Sequence, residues 1–225
     1  AINKNDNGSP SIGKMQCNGE QAKDLLSKIP GGSSYLSKMD SPLADEDVVG
    51  LKELLGSPAG MKAQDDKARE LAAGYVDIAI KLGLTDPGAI VYFASFANTG
   101  PGYASDLVRR AGVETCNSLD GMHALFSEKY NGFVNENYGA RFDNTYNAIK
   151  SLNLANMTPG SLKNQISKYK SSPTSSPVSK KENPSLVDQL LNNSMSQKLA
   201  MFGGKSFNDM KSSIFGSTDS SSSSS

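Results

Sequence analysis

The chemistry-bearing residue types of this chain gather at its start. The segment Asn3-Lys4-Asn5-Asp6-Asn7-Gly8-Ser9-Pro10-Ser11-Ile12-Gly13-Lys14-Met15-Gln16 sets one carboxylate, Asp6, among amides and hydroxyls just ahead of a helix. Gly8 and Gly13 open backbone conformations that other residues enter only with strain. Such a loop can aim one acid and several amides into a cleft. The same residue types also build an Asx-rich turn that caps the following helix, and the residues alone leave both readings open. Elsewhere the chemistry is sparse. His123 is the only histidine and lies in a Met-His-Ala-Leu-Phe run, which reads as a packed helix position. Cys17 and Cys116 sit in no Cys-x-x-Cys pair, so with a single histidine no zinc site is expected and both read as buried thiols. Neither a Gly-x-Ser-x-Gly elbow nor a phosphate-binding Gly-x-x-x-x-Gly-Lys-Ser/Thr loop occurs.

The elements that must hold this segment are mostly helices. Residues 1 to 18 read as a loop or small hairpin. The spacing of Ala22, Leu25, Leu26 and Ile29 predicts a helix from Gly19, stopped at Pro30-Gly31-Gly32. A short helix is predicted over Asp45–Leu55 with Asp45 as cap, and the longest over Met61–Leu82, burying Leu71, Tyr75, Ile78, Ala79 and Leu82. Asp86-Pro87 then predicts a cap and first turn for Gly88–Ala97, a segment apolar on nearly every side and therefore central. Further helices are expected at about 103–111, 119–129 and 133–152. No period-2 stretch of useful length appears, which excludes a large sheet. The fold class is therefore mainly α, with a small N-terminal loop or hairpin.

Composition shifts near residue 169. Residues 169–184 are Ser/Pro-rich and read as a linker. Residues 185–216 carry a short helical tail with Leu186, Leu190 and Leu191 on one face, and the Ser-rich end 217–225 is expected to be disordered. With 23 Lys+Arg against 23 Asp+Glu there is no electrostatic case for nucleic acid as a partner. No run of apolar residues is long enough for a membrane-spanning helix. The first residues show neither an initiator Met nor an apolar signal core, so the chain is expected to be a processed product or an internal piece.

One resemblance bears on function. The string Asn5-Asp6-Asn7-Gly8-x-x-Ser11-Ile12-Gly13-x-x-Gln16-x-x-Gly19-x-x-Ala22-x-x-Leu25-Leu26 resembles the opening of a family of phage and bacterial lysozyme-like domains. These occur in phage endolysins and tail-associated cell-wall hydrolases and are distantly similar to chitosanases. Leu82-Gly83-Leu84-Thr85-Asp86-Pro87, then Val91-Tyr92-Phe93-Ala94 and Asn98, resembles the family's central buried helix. Ser118-Leu119-Asp120-x-Met122-His123, then Tyr138-x-x-Arg141 and Asn144-Thr145-Tyr146-Asn147, resembles its C-terminal region. The family usually places an aromatic and a His after the Gln and an Arg before the Ala; here Cys17, Asn18 and Gln21 stand there.

The resemblance implies a lysozyme-like domain over 1–168 that degrades peptidoglycan as a muramidase-type glycoside hydrolase, with no cofactor and no metal. Glycosidic hydrolysis usually takes two carboxyl groups, an acid with a raised pKa and a base, nucleophile or ion stabiliser. Asp6 matches the second role. The family's acid is a Glu at the end of a helix upstream of the loop, and none of Glu20, Glu46, Glu53, Glu70, Glu114, Glu128 or Glu136 matches its position. A preceding segment is therefore expected to supply it. Asn7, Ser11, Gln16, Tyr92 and Asn98 become the expected substrate-binding residues; for the last two the alternative is that Tyr92 is core and Asn98 a helix cap. Partners are then glycan strands and other segments or copies of the same virion or lysis protein, in a phage tail or facing a cell wall. The rival readings are an inactive structural tail protein that keeps the fold, and a wall-binding module without catalysis.

Overall fold

The computed structural model describes residues 1–98, 100–129, 139–152 and 154–168. The expectations for 169–184, 185–216 and 217–225 lie outside them. The chain opens on a three-stranded antiparallel meander: β1 Ile2–Asp6, β2 Ser9–Ile12 and β3 Cys17–Asn18. Asn7 and Gly8 alone join β1 to β2, both at positive φ (58° and 98°). A two-residue connection with both residues left-handed is the turn whose twist matches paired strands, and Asn-Gly is the pair that adopts it at least cost. Pairing runs Ile2 to Ile12 and Asn3 to Ser11, then slips to Asp6 opposite Ser9. Two β1 residues, Lys4 and Asn5, thus oppose Pro10 alone. Pro10 has no N–H to give the ladder, and a bulge beside it sets Asp6 at the rim of the sheet.

Nine α-helices and one 3-10 helix follow among the described residues. Helix α1, Gly19–Ser27, leaves β3 directly and buries Ala22, Leu25 and Leu26. The 3-10 helix Gly32–Asp40 was not anticipated. Its entry depends on Gly32, where a β-carbon would lie 2.0 Å from the Leu26 carbonyl oxygen. Helix α2, Asp45–Gly56, has the expected span, but its cap is Ala44 and offers no side-chain bond. Asp45 instead lies in the first turn, where its carboxylate pairs with Lys4 at 2.5 Å and tethers β1. Helix α3, Pro58–Lys81, begins earlier than Met61 because Ser57 accepts the Gly60 N–H at 3.0 Å and Pro58 fits the first turn. Tyr75 and Ala79 are buried on it as expected, whereas Leu71, Ile78 and Leu82 are only half-buried.

Helix α4, Pro87–Ala97, is the centre of the molecule. Asp86 caps it, accepting the Ala89 N–H at 2.7 Å. Ile90, Val91, Tyr92, Phe93 and Phe96 are each at most 1% exposed. An all-apolar helix stays soluble only when neighbours cover every side, and α3, α5 (Pro101–Ala111), α7 (Leu119–Lys129) and α8 (Gly139–Lys150) do so. Short α6, Val113–Cys116, links α5 to α7. Helix α9, Pro159–Lys168, was not anticipated; it closes over α3 with Leu162 and Ile166 buried. One contiguous core joins all these elements. Among the described residues no helix is long and apolar enough to cross a membrane.

Candidate functional site

Asp6 ends β1 and is half-buried. The Ser11 hydroxyl, itself 1% exposed, donates to Asp6 Oδ2 at 2.5 Å across the hairpin. A short bond from a buried donor holds the carboxylate in one rotamer and leaves its other oxygen for a second task. The amides around it serve the backbone. Asn5 Oδ1 accepts the Gly8 N–H at 2.9 Å, and Asn3 Oδ1 the Asn5 N–H at 3.3 Å. Asn18 Nδ2 donates to Ser9 Oγ at 3.1 Å and to the Asp6 carbonyl at 3.4 Å, stitching β3 over the hairpin end. Asn7 is exposed at the turn.

The loop after β2 forms the second half of the region. Gly13 and Gln16 both take positive φ (75° and 51°). Gln16 Nε2 donates to the Gly13 carbonyl at 2.9 Å and to the Ala1 carbonyl at 3.4 Å, and the Gly13 N–H reaches Ala1 at 2.8 Å. The buried Gln64 amide accepts from the Lys14 N–H at 3.1 Å while donating to the Leu55 and Gly60 carbonyls. Lys14 also pairs with Asp65. From the other side Asn98, at the C-terminus of α4, donates to the Met15 carbonyl at 3.4 Å and accepts from the Tyr75 hydroxyl at 3.2 Å. Burial raises the Tyr75 hydroxyl above its ordinary range, so it acts there as a neutral donor. Thus Asp6, Asn7 and Ser11 share the hairpin, and Gln16 and Asn98 hold the adjoining loop.

Tyr92 does not join them. It is fully buried, its hydroxyl 3.0 Å from His123 Nδ1 and 3.4 Å from the Phe142 carbonyl, its ring against Phe96 and Phe126. Burial pushes that hydroxyl far above its ordinary pKa. The expected groove-lining role is therefore replaced by a core role: an apolar helix covered on all sides presents none of its inner side chains to a ligand. His123 is the packed residue it was expected to be. It sits half-buried between Tyr92, Tyr146 (ring centroids 4.6 Å apart) and Asp143 (Nε2 to Oδ1 3.4 Å). Cys17 and Cys116 are both buried. Among the described residues no three His, Cys, Asp or Glu side chains converge as a metal site would require.

Sequence reasoning passed over Asn5, Ser9 and Asn18, which shape the rim around Asp6. The two-residue spacing of Asn3 to Asn5 is that of an Asx turn, while Asn5 reaches three residues on to the Gly8 N–H. Asn18 acts only through chain pairing, which no local pattern reveals. Chemically, the region offers one anchored carboxylate with hydroxyl and amide groups beside it, able to hold a proton or to face a developing positive charge. No family model, curated protein or solved structure matches this chain.

Proposed function

We propose that the chain supplies the hairpin carboxylate of a muramidase-type glycosidase that cuts peptidoglycan glycan strands, as part of a phage virion or lysis protein. The observation that carries this reading is the anchoring of Asp6: a partly exposed carboxylate held at a sheet rim by a buried hydroxyl. Activating water, or standing near an oxocarbenium-like transition state, needs an ionised group of fixed orientation beside the anomeric carbon. The second carboxyl group is a glutamate contributed by polypeptide outside residues 1–225. Ala1 receives the Gly13 and Gln16 donors, so a residue joined ahead of it starts beside the same loop. The two carboxyl groups then lie roughly 5 to 9.5 Å apart, the shorter end for retention and the longer for inversion.

The test uses two polypeptides on purified peptidoglycan: residues 1–225, and the same chain preceded by the segment bearing the glutamate helix. The expected result is little lysis by the first and clear lysis by the second. In the longer form Asp6→Asn lowers turnover steeply with folding intact, because an amide cannot act as a base. Full activity of Asp6→Asn removes Asp6 from the mechanism. A second reading, an inactive structural tail component, draws support from another observation: Gln16, Asn18 and Asn98 spend their amides on the protein's own backbone and side chains, and Tyr92 is core. Inactivity of the longer wild-type form selects that reading.

A further inference from the structure

A second cluster of titratable side chains lies outside the Asp6 hairpin, where α4, α7 and α8 meet. Its centre is His123, the only histidine of the chain. From α4 the Tyr92 hydroxyl reaches Nδ1 at 3.0 Å. From α8 the Asp143 carboxylate faces Nε2, with Oδ1 at 3.4 Å, and the Tyr146 ring packs on the imidazole with centroids 4.6 Å apart. The Tyr146 hydroxyl donates in turn to Asp120 Oδ1 at 2.6 Å and accepts from Lys150 Nζ at 3.2 Å. Asp120 lies on α7 itself, three residues ahead of His123. Arg141 of α8 adds a positive charge that acts on the Tyr92 hydroxyl.

Two constraints fix where the protons sit. A carboxylate oxygen only accepts, so the ring nitrogen that faces Asp143 carries the hydrogen. In the neutral ring this is Nε2–H, and Nδ1 is left as an acceptor. The opposite tautomer would set a nitrogen lone pair against the carboxylate. The Tyr92 hydroxyl, for its part, has one proton and two acceptors: Nδ1 at 3.0 Å and the Phe142 carbonyl at 3.4 Å. Burial keeps that hydroxyl protonated. With the ring neutral, its proton goes to the nearer acceptor, Nδ1. With the ring protonated, Nδ1–H is a donor and needs the hydroxyl oxygen. The hydroxyl proton then turns to Phe142, whose carbonyl keeps a second lone pair beside its helical bond.

We propose that His123 is a proton-driven switch at the junction of α4, α7 and α8, in which protonation of Nδ1 turns the Tyr92 hydroxyl from the histidine to the Phe142 carbonyl. The added proton comes from solvent through the half-buried ring, Tyr92 keeps its own proton, and no covalent bond to carbon changes. Each of these polar groups has a partner in both states, so the fold accommodates the charge. The imidazolium gains Asp143 as counter-ion and the Tyr146 ring as a π partner. The neutral state thus lets Tyr92 accept nothing from α7 and donate to it; the acid state reverses that bond and ties α4 to the backbone of α8.

The experiment is a nuclear magnetic resonance titration of residues 1–225 labelled with 15N and 13C, scanned across the histidine range from about pH 8 to about pH 5. With a single histidine, the long-range imidazole spectrum has one source. At the alkaline end the expected pattern is a protonated Nε2 and an unprotonated Nδ1. On acidification both nitrogens are expected to move to the imidazolium position, and the Phe142 carbonyl carbon to shift with the same midpoint. In Tyr92→Phe, checked for folding by circular dichroism, the imidazole is expected to titrate while the Phe142 carbonyl no longer follows it. A dominant Nδ1–H form at the alkaline end overturns the proposal, as does a Phe142 carbonyl that stays still in the wild type. A carbonyl that shifts equally in folded Tyr92→Phe also overturns it, since the hydroxyl would then not be the carrier.

Discussion

Tyr92 carries the sharpest contrast between what a residue type suggests and what a position permits. A tyrosine is an obvious sugar contact, yet this one lies at the middle of α4 with its hydroxyl engaged by His123 Nδ1 and the Phe142 carbonyl. Buried hydroxyls are kept because an unmet partner is expensive, not because the bond is strong. Tyr92→Phe keeps the ring and leaves the His123 nitrogen without its partner. The expected outcome is a loss of about 1 kcal/mol in denaturant unfolding, with lytic turnover of the glutamate-bearing form nearly unchanged. A large turnover loss at unchanged stability returns Tyr92 to the binding surface. Ser11 shows the converse: a small, fully buried serine is the residue that fixes the orientation of Asp6.

Between elements, α1 is fastened to α3 by a closed ring of charges rather than by apolar contact alone. Lys28 and Lys67 each bridge Asp24 and Glu70, at distances from 2.7 to 3.3 Å. Lys67 is the inner member, its side chain only 7% exposed. The bonds from Lys28 and then Lys67 hold the Asp24 carboxyl below its ordinary range. Burial alone would raise Glu70, but the bonds and charges of Lys67 and Lys28 outweigh it and hold that carboxyl low as well. Groups held low in the folded state bind protons more readily in the unfolded chain. Their contribution is full above the ordinary carboxyl range at about pH 4 and is lost as pH falls through the lower folded values. Lys67→Met removes the inner bridge while keeping the apolar stem. In unfolding measured from about pH 5 down to about pH 2, this variant is expected to lose stability less steeply than the wild type. Parallel slopes would show that the ring contributes nothing to the acid response.

Taken whole, the described molecule is one core built around α4, and its last buried side chains, Leu162 and Ile166, belong to α9. A chain ending at Lys168 therefore retains every apolar contact among the described residues. It is expected to melt in a single cooperative transition within a few degrees of the full chain. A chain ending at Leu154 uncovers the α3 face that α9 closes, and is expected to melt markedly lower. Equal melting of the two shortened chains contradicts the role given to α9; a collapse of the chain ending at Lys168 contradicts the boundary drawn near residue 169.

Local rules made much of this legible. The apolar run from Gly88 to Ala97, bracketed by Asp86-Pro87, announces a buried central helix because neither periodicity nor capping depends on distant residues. The Asn-rich start reads as a turn for the same reason. Tertiary structure alone decided the rest. The 3-10 helix rests on the close approach of Gly32 to Leu26, and α9 on a face of α3 that only packing exposes to it. The bulge at Pro10 and the Ser11 bond to Asp6 follow from strand register, a relation between segments. Tyr92 entered the core because four other helices happen to cover α4 on every side. Residue types and spacing set which groups can act; which of them face solvent depends on contacts far apart in the chain.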